Sequence, residues 1–310
     1  MKQDNQSVCR FAHFAMGTTF ELLISGRVET YARQASQAVF SEVDRIENLF
    51  SRFNPCSEIS QVNRLVPGQS LMVGVEVFEC LKIAAWVMSQ THGAFDINIA
   101  SLLKSKKEIS TELQKMKTEA NILKQIDLIQ TQRGYMIRIP DSEGKAERSQ
   151  LNLDLGGIGK GYALDKTLDI LSDWSISDAL IHGGTSTALA LGSPAGGSSQ
   201  VKGWPVGVAT AWEVDCAPKE VILSDRALSG SGTEVKGKHI LDPRTGQWAK
   251  GHLAAWASHP SAAISDALST AFMVMSTEEV EALCEKNPEV WALVVPDSMT
   301  LKIFNGQLIV

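Results

Sequence analysis

Residues 151–163 read LNLDLGGIGKGYA. Leucines at 151, 153 and 155 alternate with Asn152 and Asp154, the period-two pattern of a half-buried strand. Gly156, Gly157, Gly159 and Gly161 follow, with Lys160 among them. Leu164, Leu168 and Leu171 then recur at helical spacing, which predicts a helix over Gly161–Asp173. The glycines therefore fall on a strand-to-helix turn. Bare backbone can approach a ligand closely, and a helix start beside a lysine favours an anion. The plainer alternative is a tight connection with Lys160 exposed. Two common phosphate-binding patterns do not fit. Gly-x-x-x-x-Gly-Lys-[Ser/Thr] would need glycine at Asp154 and a hydroxyl at Gly161, and Gly-x-Gly-x-x-Gly would need glycine at Tyr162.

The chain has 310 residues, 44% hydrophobic and 21% charged, as a globular protein should. Its net charge of −6 argues against a nucleic-acid binder. The densest basic cluster, Lys104, Lys106, Lys107, Lys115, Lys117 and Lys124, is interleaved with Glu108, Glu112 and Glu119, so it reads as a solvated helical face. Cys9, Cys56, Cys80, Cys216 and Cys284 show no metal-binding spacing. They fit a reducing compartment or thiols that simply pack. No run of about 18 apolar residues predicts a membrane span. No apolar leader opens the sequence, so a cytoplasmic protein is expected as it stands; an exported protein that had lost a leader would read the same.

The remaining pattern predicts a strand at Phe20–Ile24 and helices at 30–50 and Val75–Gln90, the latter ended by Gly93. A lysine-rich helix is expected over 104–125. Tyr135–Ile139 alternates and stops at Pro140, as an edge strand would. Further strands are expected at Ala179–Ile181, Ala188–Leu191, Pro205–Ala209, Val221–Leu223, His239–Leu241, Val290–Val295 and Leu301–Phe304. Helices are expected at Ile264–Met275 and Glu278–Lys286. This order implies an α+β fold with much of its sheet antiparallel.

Other short stretches carry candidate chemistry. In HILDPRTG (239–246), Asp242-Pro243-Arg244-Thr245-Gly246 is good turn chemistry. His239 precedes it, placed either as a base or phosphate ligand or as a structural residue. In SDALSTAF (265–272), Asp266 and Thr270 share a helix face and offer hard oxygens suited to Mg²⁺. Alternatively Ser265 or Asp266 caps that helix and Thr270 bonds back to a carbonyl. THGAFD (91–96), FSRFNPCSEISQVN (50–63) and IHGGTST (181–187) add a loop carboxylate, a turn and another glycine-bearing strand end.

Together with MGTTFEL (16–22), these stretches occur in the order and rough spacing of the flavin transferase family often called ApbE. The resemblance covers residues 16 to about 276. GGIGKGYALD, H-I-L-DPRTG and D-A-L-x-T-A are its most specific parts. It implies an FAD:protein FMN transferase: an enzyme that takes FAD and Mg²⁺, joins FMN to a Thr or Ser hydroxyl of an acceptor protein and releases AMP. Some members hydrolyse FAD to FMN and AMP instead. A third possibility is a flavin-binding protein without turnover. The implied fold is T-fold-like, with mixed and antiparallel sheets layered with helices. It would form a single domain over 1–310 built of two lobes, about 1–150 and 151–310, with FAD between them. The resemblance assigns Mg²⁺ to Asp266, Thr270 and the Gly159 carbonyl. It matches Lys160, Met16, Phe53, Ala94, Phe95, Asp96 and Ile240 to FAD-contacting positions, and His239 to the active-site histidine. Lys160, His239 and Asp266 are the catalytic candidates, with the proton acceptor left open between the last two. The chain departs from the usual pattern at His182, Thr185 and Phe53, where Asn, an acidic or amide residue, and Tyr are common.

Overall fold

The computed structural model describes residues 8–99, 125–141, 151–195, 202–208, 220–233 and 240–306. The lysine-rich stretch 104–124, Ala209, Cys216 and His239 lie outside them. An eight-stranded sheet forms the frame. Its strands are β1 (Val8–Ala15), β2 (Thr18–Ser25), β6 (Ala179–Gly183), β7 (Thr187–Leu191), β10 (Arg226–Gly232), β13 (Ala254–His259), β14 (Trp291–Val295) and β15 (Lys302–Phe304), in that spatial order. Every neighbouring pair in it is antiparallel. A smaller sheet holds β3 (Ser70–Val73), β4 (Asp127–Thr131) and β5 (Gly134–Arg138). Among the described residues, two further pairs complete the set, β8 (Trp204–Gly207) with β9 (Glu220–Leu223), and β11 (Leu241–Asp242) with β12 (Gln247–Trp248).

Helix α1 (Glu29–Phe50) buries Ala32, Ala35, Val39, Val43, Ile46 and Phe50 along one face, the stripe its spacing predicts. Each large side chain of that stripe stabilises the packed state by about 1.5–3 kcal/mol. A short helix, α2 (Glu58–Val62), is capped by the Ser57 side chain, and α3 (Val75–Gln90) gives way to a turn at Gly93. Next come α4 (Gly159–Asp173), α5 (Ala262–Phe272) and α6 (Thr277–Lys286). Helices α1 and α4 pack with β2 and β6 around one core, which includes Phe20, Leu22, Val39, Leu164 and Ile181. A larger core joins α3, α5 and β5 with Ala255, Ala257 and Val294. A third, around Trp204, Leu228 and Trp256, lies between β8–β9 and the large sheet. Residues from both sides of position 150 contribute to the first two. Among the described residues, no helix is long and apolar enough to cross a membrane.

Three expectations need correction. Residues 151–155 are extended and alternate in burial, but they form no strand. Side chains and one loop carbonyl, not a neighbouring strand, satisfy their backbone, as described below. Strand β5, expected at an edge, is central, because β3 and β4 flank it. Pro140 lies beyond its last residue, so the missing N–H costs no ladder bond. Strands β1, β3, β4, β10, β12 and β13 were not expected at all; β10 (RALSGSG) and β13 (AAWASH) contain few strand-favouring residues.

Candidate active site

The segment 151–155 reaches the site held by two asparagines. Asn63 accepts from the Leu153 N–H at 2.7 Å and donates to its carbonyl at 3.1 Å. Asn98 accepts from the Asn152 N–H at 2.8 Å, and the Asp154 N–H donates to the Ile97 carbonyl at 2.7 Å. The amide of Asn63 thus takes the place of a neighbouring strand. Asp154 then sets the turn. Its Oδ1 accepts from the Gly156 N–H at 2.9 Å, and its Oδ2 lies 3.1 Å from Arg52 Nε. Arg52 also stacks over the Phe53 ring, which is 81% exposed.

Past that turn, bare backbone brings two helices together. A Cβ on Gly157 would come within 3.3 Å of both Phe95 and Thr270 Oγ1, so the loop lies against both. A Cβ on Gly161 would meet the Ala262 carbonyl oxygen at 2.1 Å. Helices α4 and α5 therefore touch backbone to backbone, and only glycine fits at the crossing. This contact places the Gly161 N–H 3.2 Å from Asp266 Oδ2. Lys160 Nζ lies 3.3 Å from the same oxygen and 3.3 Å from the Gly156 carbonyl. Thr187, on β7, donates to Asp266 Oδ1 at 3.2 Å. Both side chains of that last pair are buried.

Asp266 does not cap its helix. Ser261 is the N-cap of α5, and Asp165 of α4 supports it by accepting from Ser261 Oγ (2.7 Å), Ala262 N (2.6 Å) and Ala263 N (3.0 Å). Burial pushes the Asp165 carboxyl above the usual carboxylate range, and these three donors act against that rise. Ser265 turns away, to the Ala257 carbonyl. The capping alternative thus fails for Ser265 and Asp266, and the Asp266 carboxylate faces Lys160. Thr270 does reach back to the Asp266 carbonyl, at a long 3.4 Å.

Lys160, Asp266, Thr270, Phe95 and the Gly157–Gly159 turn form one group. The other sequence candidates connect to it through neighbours. Phe53 is joined through the Arg52–Asp154 ion pair. Met16 sits in the left-handed region at the β1–β2 turn, with Thr18 under Gly184 and Gly183 against the Lys160 stem. Ala94, Phe95 and Asp96 are buried in the loop after α3, where Asp96 Oδ1 accepts from the Asn98 N–H at 2.8 Å. Ile240 enters β11, whose hairpin carries Arg244 against Gly93. His239 is outside the described residues. Thr187, Asp165, Asn63, Asn98 and Arg52 are supports that the sequence reading did not single out. Their partners are remote in sequence, 79 residues apart for Thr187 and Asp266, so no local pattern marks them.

One carboxylate with a hydroxyl and nearby carbonyls is a hard-oxygen set. It suits Mg²⁺, which needs few protein ligands and keeps several waters. Among the described residues, no three His, Cys, Asp or Glu side chains group to hold a metal. The Asp266 carboxylate and the bare turn lie side by side, both within reach of Lys160.

The fold and this group define an α+β protein in which a lysine–aspartate pair and a glycine turn lie beside one antiparallel sheet. A model of the ApbE family matches residues 16–294, and the chain belongs to that family. Relatives named FAD:protein FMN transferase include one from Klebsiella pneumoniae, 24% identical over 289 residues, 86% of this chain and 78% of the relative. Another, from Chlamydia trachomatis, is 28% identical over 271 residues, 81% of this chain and 78% of the relative. Among solved structures, the apo flavinyl transferase ApbE of Pseudomonas stutzeri superimposes with a TM-score of 0.80 at 22% identity, covering 98% of this chain and 97% of that one. The flavin transferase ApbE of Vibrio cholerae gives 0.79 at 19% identity, with 96% of each chain covered. Layered helices and antiparallel sheets are thus the fold of this chain and of those structures.

Proposed function

We propose that the protein is an FAD:protein FMN transferase, moving FMN from FAD to a Thr or Ser hydroxyl of an acceptor protein and releasing AMP. The observation that carries this reading is the Lys160–Asp266 pair at 3.3 Å beside the glycine turn. A carboxylate for a cation and an ammonium for a pyrophosphate are what phosphoryl chemistry needs side by side. Family membership and the names of the relatives support it.

Asp266, Thr270 and the Gly159 carbonyl would hold Mg²⁺, which supplies charge neutralisation at the pyrophosphate when bound. Lys160 neutralises the neighbouring phosphate oxygens. Met16, Phe53, the Ala94–Asp96 run and Ile240 seat the rest of FAD. The acceptor hydroxyl oxygen bonds to the FMN phosphorus, and the bond from that phosphorus to the bridging oxygen breaks. AMP leaves with the bridging oxygen. The hydroxyl proton passes to a base, and His239 suits this role better than Asp266. Both oxygens of Asp266 already accept bonds, from Thr187 on one side and Gly161 and Lys160 on the other. Such a base contributes about 10²–10⁴-fold.

The test is to incubate the protein with FAD, Mg²⁺ and an acceptor carrying a Thr or Ser modification site. Acceptor mass should rise by FMN, with AMP released much faster than without acceptor. Equal, fast AMP release in both arms with no mass gain would replace this reading with FAD hydrolysis.

A further inference from the structure

Asp266 presents its two oxygens to different surroundings. Oδ2 faces Lys160 and the glycine turn, where a ligand would sit. Oδ1 points into the protein, where the Thr187 hydroxyl donates to it at 3.2 Å. Thr187 is 2% exposed and Asp266 4%, so water does not compete for that bond. Thr187 lies on a central strand, paired with β6 on one side and with β10 on the other, so its position is fixed by two ladders.

We infer that Thr187 determines the cation specificity of this site by holding Oδ1, so that Asp266 can ligate through one oxygen only. The inference rests on the magnesium-dependent reading above and adds to it a residue and a selectivity. A carboxylate bound through one oxygen suits Mg²⁺, which takes six ligands in near-octahedral order and keeps waters. Ca²⁺ takes six to eight oxygens and often takes both from one carboxylate. With Oδ1 engaged, the second oxygen is withheld from the larger ion. Without the Thr187 hydroxyl, Oδ1 would be a buried acceptor lacking its donor, and turning toward the cation would satisfy it. The wild-type arrangement therefore discriminates against Ca²⁺, and loss of one hydroxyl relaxes that discrimination.

Ser229 provides an internal control. It is the register partner of Thr187 on β10, fully buried, and its hydroxyl has no hydrogen-bond partner among the described residues. It is a hydroxyl in the neighbouring position that does not hold the carboxylate.

The test is calorimetric titration of the FAD-loaded protein, without acceptor, by Mg²⁺ and separately by Ca²⁺. Wild type should prefer Mg²⁺. Thr187→Val keeps the shape and removes the donor, and should lower the Mg²⁺/Ca²⁺ affinity ratio by about tenfold, the worth of one hydrogen bond to a charged group. Thr187→Ala should do the same if the valine variant does not fold, as circular dichroism will show. Thr187→Ser should restore the ratio, and Ser229→Ala should leave it at the wild-type value. Equal weakening of both cations in the valine and alanine variants, or no change in either, would overturn the inference and leave Thr187 a packing residue. If wild type binds neither cation, the magnesium reading falls and the inference falls with it. If wild type prefers Mg²⁺ and the valine and alanine variants keep that preference, only the inference falls.

Discussion

Under the proposed reading, Asp266 is where the chemistry and the packing depend on the same side chain. Its carboxylate accepts from Gly161, Lys160 and Thr187, so removing it leaves the Gly161 N–H and the Thr187 hydroxyl without an acceptor in a buried place. Each orphaned buried donor costs about 1–3 kcal/mol. Asp266→Ala is therefore expected to melt several degrees lower as well as lose magnesium-dependent turnover. Asp266→Asn separates the two effects. Its amide oxygen can take the Gly161 N–H while its NH2 donates to the Thr187 hydroxyl, and the charge is gone, so turnover should fall by about 10²-fold or more with a smaller loss in melting than Asp266→Ala. AMP release and a thermal melt on the two variants measure this; wild-type turnover in the asparagine variant would remove Asp266 from the chemistry. The residues legible in the sequence, Lys160, Asp266, Thr270 and Phe95, stand in short runs of unusual composition. Thr187, Asp165 and Asn63 were not legible, because one polar residue acquires meaning only from a partner brought to it by the fold. For Asn63 that partner, Leu153, is 90 residues away.

At the level of elements, the site depends on how α4 meets α5. The crossing is fixed twice, by the backbone contact at Gly161 and by Asp165, which accepts from Ser261, Ala262 and Ala263 at the start of α5. Gly161→Ala drives a methyl into the Ala262 carbonyl, and the helices must separate. Lys160 and Asp266 sit on opposite sides of that joint, so separation should reduce turnover by more than the loss of stability alone explains. Asp165→Ala should cost about 1–2 kcal/mol, the scale of a lost cap. Denaturant melts beside steady-state rates test both. A Gly161→Ala variant with wild-type stability and rate would show that the crossing tolerates a side chain. The helices were legible because an apolar stripe of period 3.6 is intrinsic to a sequence. Strands β10 and β13 were not. Ala255 and Ala257 of β13 and Ser231 of β10 pack toward α5, while Gly230 leaves space for the Trp256 ring, so small size counts for more there than strand propensity. The segment 151–155 misled for the opposite reason. Its alternation is real, but alternation reports two faces of different burial and does not report whether a neighbouring strand exists.

Across the whole molecule, the candidate site gathers pieces from distant parts of the chain: the β1–β2 turn, the loop after α3, the start of α4, the β11 hairpin and α5. The antiparallel class of the fold was legible from the succession of short strands, but the strand order was not, since β2 pairs with β6 across more than 150 intervening residues. A ligand that touches all these pieces links them, and its binding energy appears as stability of the folded state. At about 100 times its dissociation constant, a ligand adds about 2.7 kcal/mol. FAD spans the site under the reading proposed here, whereas FMN lacks the adenosine and the second phosphate that face Lys160 and the glycine turn. At equal concentration, FAD should therefore raise the melting temperature clearly more than FMN. The difference should shrink in Lys160→Met, because the ammonium contributes to the ligand that carries the pyrophosphate and much less to the one that does not. Melts of wild type and Lys160→Met with FAD, FMN and no ligand give the comparison. Equal shifts by the two flavins in wild type would mean that the glycine turn and Lys160 do not receive the pyrophosphate, and the anion site would have to be assigned to a different ligand.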